Sequence, residues 1–268
     1  MLLSRQMWQA DLKDLFSESM TQDWQQSVNA LNELLGLRDD AALRLTFPDL
    51  PPIWFNGDVE ALEPGRWTLV VSLNHQLGTY PVNPSRSTYW DFCRTHNRKY
   101  WYGRFFAPLV TVASIALGDE MALGEEPEYA TSRMVFVELC PYASRTFSLS
   151  SGVVADLVET DPGFQTAHRV IELLIGGAEP GLVLLNGNAT IASFEAIYGK
   201  RLGLWATSTY DSASGTGRKL WHRQGYLESS GQRTPIAGFP FLRKPRTHNS
   251  NDELLQLGRI LRDWVNQT

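Results

Sequence analysis

Three apolar segments of this chain each run into polar side chains. Trp67 to Leu73 meets Asn74, Met134 to Leu139 carries Glu138 near its end, and Gly181 to Leu185 meets Asn186-Gly187-Asn188. Amides and a carboxyl can exchange hydrogen bonds with a ligand, and a carboxyl can also carry a proton. Nearly continuous Leu and β-branched runs read as strands buried on both faces, as in a parallel sheet flanked by helices. Ligands of such sheets bind beyond the carboxyl ends of the strands. Asn74, Glu138 and Asn186 to Asn188 are therefore expected to crowd one functional edge. The chain has no Gly-x-Gly-x-x-Gly turn, Walker loop, Gly-x-Ser-x-Gly elbow or His-Glu-x-x-His helix, and its five histidines show no metal-like spacing.

The elements that must position these groups follow from periodicity. Residues 1 to about 38 read as helical, with Leu12, Leu15, Phe16, Met20, Trp24, Val28, Leu31 and Leu35 three and four apart. Asp49-Leu50-Pro51-Pro52 closes that region. Strand one (67–73) leads into a Pro-, Asn- and Ser-rich segment, 75–88, followed by helical stretches at Tyr89–Arg98 and Arg104–Leu117. The Trp101-Tyr102 and Phe105-Phe106 cluster reads as core. Strand two (133–139) is expected to stop at Pro141. Asp161-Pro162 caps a helix reaching about Ile175. Strand three (181–185) turns through Asn186-Gly187-Asn188 into a helix, Ala189 to Tyr198. Residues 205–235 suggest a hairpin, and Pro235 to Phe239 a short strand before the loop Pro240 to Asn249. Asn249, Ser250 or Asn251 then caps a final amphipathic helix.

At 268 residues the chain suits one large α/β domain with an N-terminal helical extension. A net charge of -5 gives no global positive field to attract nucleic acid, so any such contact must be local. Two cysteines, Cys93 and Cys140, cannot furnish a zinc finger or an iron–sulfur cluster, and they fit a reduced, cytoplasmic protein. No apolar run approaches 18 residues and no signal-peptide pattern opens the chain, so neither a membrane partner nor a membrane segment is expected.

Three motifs in order resemble the uracil-DNA glycosylase superfamily, most of all its single-strand-selective monofunctional branch. Ser72-Leu73-Asn74-His75-Gln76 is similar to a strand ending Gly-Met/Leu-Asn-Pro-Gly. Phe136-Val137-Glu138-Leu139-Cys140-Pro141 resembles Phe-Val-His-Asn-Leu-Cys-Pro, one residue shorter. Phe239-Pro240-Phe241-Leu242-Arg243-Lys244-Pro245 stands where the family has His-Pro-Ser-Pro-Arg-Asn-Pro. The resemblance covers about residues 53–266. It implies a three-layer α/β/α fold on a short parallel sheet of about four strands, with 1–50 as an extension packed on a catalytic domain, 51–268. It also implies a monomer that acts on flipped-out bases of DNA without a metal or organic cofactor.

The resemblance makes Asn74 the residue that holds the attacking water and Glu138 the residue that reads the base. Ser72, Leu73, His75, Tyr80, Trp90 and Phe239 fall in the base pocket, with Tyr89 a further stacking candidate. Asn188, Arg243, Lys244, Arg246 and His248 fall on the DNA side. Two departures shift the expected substrate. Phe239 replaces a family His that stabilises the departing base, which removes an electrostatic contribution of typically a few kcal/mol. Glu138 replaces an Asn that pairs with uracil. An ionised carboxylate would repel uracil O4, whereas a carboxyl accepts from the cytosine N4 amine and, when protonated, donates to N3. The expectation is a monofunctional glycosylase for a modified cytosine, such as a hydroxymethylated or glucosylated base of phage DNA, with anti-phage defence as the role. A plain uracil-DNA glycosylase and an inactive nucleotide or DNA binder are the alternatives. Structural readings stand beside these: Asn74 could cap a turn, and Glu138 could pair with Arg145.

Overall fold

The structure is a computed structural model describing residues 2–37, 42–46, 53–76, 88–99, 101, 103–122, 124–147, 149–213, 215, 217–229, 231–242 and 250–267. Six strands form one sheet: β1 (Thr68–Gln76), β2 (Met134–Ser144), β3 (Leu182–Asn186), β4 (Leu202–Asp211), β5 (Lys219–Ser229) and β6 (Gln232–Phe239). Their order is β2-β1-β3-β6-β5-β4. β2, β1, β3 and β6 run parallel, as the apolar runs require, while β5 and β4 extend the sheet antiparallel. The expected parallel sheet of four is thus the inner part of a mixed sheet of six. The segment read as a hairpin pairs directly onto β6.

Nine helices are described: α1 (Leu2–Ser19), α2 (Trp24–Leu34), α3 (Tyr89–Lys99), α4 (Gly103–Leu117), α5 (Glu126–Ser132), α6 (Ser151–Thr160), α7 (Pro162–Ala178), α8 (Asn188–Tyr198) and α9 (Asn251–Val265). Alternation along the strands sorts the core into two layers. Leu69, Val71, Val135, Val137, Val183, Leu185 and Ile236 pack with α6, α7 and α8. Val70, Phe136, Leu182, Leu184, Ala237 and Phe239 pack with α4, α5 and α9. The result is a three-layer α/β/α arrangement. Among the described residues no helix is long and apolar enough to cross a membrane.

Several boundaries differ from the sequence reading. The N-terminal helical region is two helices, because Asp23 accepts a hydrogen bond from the Gln26 N–H and starts α2 afresh. Strand one does not stop at Asn74: β1 continues to Gln76, with Asn74 opposite Cys140. Strand two does not stop at Pro141. Between the pairs Asn74–Cys140 and Gln76–Ser144 the partner strand advances four residues to two, so Pro141 falls in a bulge. β2 is also the outermost strand on that side, where a missing N–H is tolerated. α5 and α6 had no counterpart in the sequence reading.

Caps and close approaches fix the helices on the sheet. Asp161 accepts from the Gly163 and Phe164 N–H groups at 2.9 and 3.0 Å and from the Tyr142 hydroxyl at 2.9 Å, tying α7 to β2. Ser250 and Glu253 form a reciprocal capping box that starts α9. α1 lies on α7 at Gly177, where a Cβ would stand 2.3 Å from the Trp8 Cβ. Gly177→Ala should therefore push α1 outward and lower stability by about 1–3 kcal/mol. The checks are a reduced urea midpoint and faster limited proteolysis within residues 2–34; an unchanged midpoint would contradict the tight α1–α7 contact.

Candidate active site

The register of the parallel strands assembles a polar row at their carboxyl ends. Ser72 lies opposite Glu138 on the β1–β2 ladder, and Asn186 lies opposite Phe239 on the β3–β6 ladder. Neighbours in a parallel ladder share a face, so Glu138 projects to the α4 side, two residues beyond Phe136. Phe106, in the first turns of α4, packs on Phe136 with centroids 4.6 Å apart. The amino end of α4 therefore overlies the strand ends that carry Glu138.

Glu138 is half-buried, and its Oε2 is shielded from solvent. Burial disfavours the charged carboxylate and pushes its pKa up to about 8. The group is thus mainly a neutral carboxylic acid at pH 7, able to donate from one oxygen and accept at the other. Arg145, the alternative ion-pair partner, sits exposed beyond the end of β2.

Asn186 is spent on structure. Its Oδ1 accepts from the Leu242 N–H at 2.9 Å, and its backbone oxygen accepts from the Thr190 hydroxyl at 3.0 Å. The Gly187 N–H donates to the Phe239 oxygen at 2.9 Å. Together these bonds fasten the residues after β6 to the end of β3. Asn188 opens α8 and is exposed.

The remaining candidates separate in space. Ser72 is half-buried beside Glu138, while Leu73 packs into the opposite core layer. Phe239 is 1% exposed and belongs to the core beneath α9. It forms a wall of a cavity of about 260 Å³ with Tyr210, Leu220, Leu242, Leu254 and Leu257. Glu138 and Phe239 stand at the two ends of the parallel set, three strand spacings or about 14 Å apart. Trp90 is drawn away to the N-terminal helix. Phe16 and Phe55 meet its ring edge-on at 5.2 and 5.3 Å, and the Lys13 ammonium lies over it at 5.5 Å. Tyr89 is buried against Phe16.

The backbone of Asn74 and His75 is part of β1, but their side chains lie outside the described residues, as do Tyr80, Arg243, Lys244, Arg246 and His248. Among the described residues no cluster of His, Cys, Asp or Glu could hold a metal ion.

The sequence reads Phe105 and Phe106 together as core. Both rings are half-buried; Phe106 packs against the core cluster, whereas Phe105 meets the exposed Phe241 edge-on, with centroids 6.4 Å apart at 66°. No local pattern marks this pair, because it depends on α4 meeting the residues after β6. No protein-family model matches the chain, and no curated protein matches it.

The raised carboxyl pKa has a measurable consequence. In the unfolded chain Glu138 titrates near 4.5, and in the folded protein near 8. Between these values the folded state holds a proton that the unfolded state has lost. The stabilising contribution is full below about pH 4.5 and is lost as pH rises through 8, a change on the order of a few kcal/mol. Glu138→Gln should therefore gain stability relative to the parent between pH 5 and 8.5 in paired urea titrations. A constant difference across that range would contradict a buried, neutral Glu138.

Proposed function

We propose that the protein is a monofunctional DNA glycosylase of the uracil-DNA glycosylase type, acting on a modified cytosine extruded from the strand. The observation that carries this reading is the shielded carboxyl of Glu138, held near neutrality at the carboxyl edge of the parallel sheet. Its O–H donates to cytosine N3 while its second oxygen accepts from the N4 amine. As the C1′–N1 bond breaks, the electron pair moves onto the base and the Glu138 proton passes to N3. The base departs neutral and Glu138 is left as a carboxylate. Water adds to C1′, held by the Asn74 amide oxygen, and its proton is released to solvent. An abasic site remains.

This series of steps supplies leaving-group stabilisation without the family's last-motif histidine. It fits a chain whose Phe239 is sealed in the core. Ordinary cytosine is excluded as a target because its excision would destroy the host genome. A hydroxymethylated or glucosylated cytosine, as in phage DNA, then gives the protein a defensive role.

The raised pKa of Glu138 favours one competing substrate. A neutral carboxyl does not repel uracil O4; it can donate to O4 and accept from N3–H. Uracil and cytosine differ at the proton-transfer step, because only the cytosine N3 offers a free lone pair for the transferred proton.

Incubation with oligonucleotides carrying uracil, cytosine, hydroxymethylcytosine or glucosylated hydroxymethylcytosine, with detection of free base, tests the proposal. Release is expected from a modified cytosine, with a rate that falls above about pH 8 as Glu138 ionises. Glu138→Gln should lower that rate by about 10²–10³-fold, as loss of a charge-stabilising donor does elsewhere. Asn74→Ala should abolish turnover while leaving DNA binding largely intact. No free base from any substrate, or full activity of Glu138→Gln, would sink the reading.

A further inference from the structure

Cross-strand register sets Tyr210 opposite Leu220, and Gln224 opposite Ala237. Tyr210 and Leu220 therefore share the sheet face of Ala237 and Phe239, the face that α9 covers. The helix does not close on it. The cavity of about 260 Å³ between them has a floor of buried Phe239, Leu242, Leu254 and Leu257. Half-buried Tyr210, Arg218 and Leu220 form its rim. Hydrogen bonds beside the cavity fix the helix against the end of β4. Gln256 donates to the Asp211 oxygen at 2.8 Å and accepts from the Ala213 N–H at 3.0 Å, and the Ser212 hydroxyl donates to Glu253. None of these bonds uses the side chain of Arg218 or Tyr210.

The two polar groups of the rim are unspent. Among the described residues no carboxylate oxygen lies within 4 Å of the Arg218 guanidinium, and the Tyr210 hydroxyl has no hydrogen-bond partner. The buried His222 ring, with its centroid 5.6 Å from that of Tyr210, holds the phenol in place. Arg218 lies in electrostatic range of both Tyr210 and Glu253. Glu253 also borders the cavity, but its two oxygens are engaged by the Ser212 hydroxyl and the Ser250 N–H. The rim thus offers a guanidinium and a phenol as donors above an apolar floor.

We propose that this cavity binds a small monocarboxylate with a compact apolar body, of the class of aryl-substituted short-chain acids. The carboxylate accepts from the Arg218 guanidinium and the Tyr210 hydroxyl, and the charge strengthens both bonds. The body displaces water from Leu242, Leu254 and Leu257. The opposite orientation would bury an ion among leucines. A volume of about 260 Å³ lies under the range of about 300–1,000 Å³ that drug-sized molecules occupy, which suits a single ring rather than a nucleotide. The cavity stands beyond β6, at the other end of the parallel strands from Glu138, and its ligand does not depend on the glycosylase reading.

Isothermal titration calorimetry of the full chain with 3-phenylpropionate, in the absence of DNA, tests the site. Saturable one-to-one heat with a Kd below about 1 mM is expected. The uncharged 3-phenylpropanamide should bind at least about tenfold more weakly, and 3-phenylpropylamine more weakly still. Arg218→Gln should weaken binding of the acid by about tenfold or more, and Tyr210→Phe by about three- to tenfold. Arg259→Gln removes an exposed positive charge from α9 outside the cavity and should leave the affinity unchanged. Leu257→Phe, which fills the floor, should abolish binding; circular dichroism melts confirm that each variant is folded.

No saturable heat below about 1 mM would overturn the site. Equal affinity for the acid and its amide, or full affinity in Arg218→Gln, would do the same. Tighter binding of the amine would give the cavity to a cation facing Glu253 and would also overturn it. Each readout is independent of base release, so failure here leaves the assignment of Glu138 untouched.

Discussion

The site depends on the register of β1 between β2 and β3. In strands buried on both faces, a slip of one residue exchanges every side chain between the two core layers. Sliding β2 by one position would drive Glu138 into the layer of Val135, Val137 and Leu139. The same slip would turn Val137 toward the strand ends where α4 begins. The apolar pattern of the whole sheet therefore holds the carboxyl where it is. A carboxyl on a loop would have no comparable constraint.

That placement has a thermodynamic cost which the surrounding layers offset. The carboxyl projects from the same face of β2 as Phe136, and its burial favours the protonated form. Large apolar side chains on both faces of β1, β2 and β3 supply the opposing stabilisation. A rigid sheet can thus carry an acid that a solvated loop would leave ionised. The antiparallel pair β5 and β4 takes no part in that edge. It widens the sheet beyond β6 and, with α9, encloses Phe239.

Legibility in the sequence tracked the strength of local pattern. β1, β2 and β3 stood out because burial on both faces leaves nearly unbroken apolar runs. β4 and β5 were weaker, since many of their side chains are exposed or half-buried and the alternation is diluted. Pro141 suggested a strand end because a proline cannot donate to a ladder, but an edge strand with a bulge has no donor to lose there. α5 is only seven residues long. α6 carries Val153, Val154, Leu157 and Val158, which suit a strand as well as a helix. Within the site, Glu138 was legible as one charge inside an apolar strand. The structural use of Asn186 and the meeting of Phe105 with Phe241 were not, because each joins elements distant in the chain.

Leu242 is bonded to Asn186, and Ser250 is locked in its capping box with Glu253. One bond draws on the end of β3 and the other on the first turn of α9. The exit from β6 and the start of α9 are therefore properties of the scaffold and are inherited with it. A descendant that keeps Asn186, Ser250 and Glu253 keeps both points where they are, whatever else in its sequence drifts.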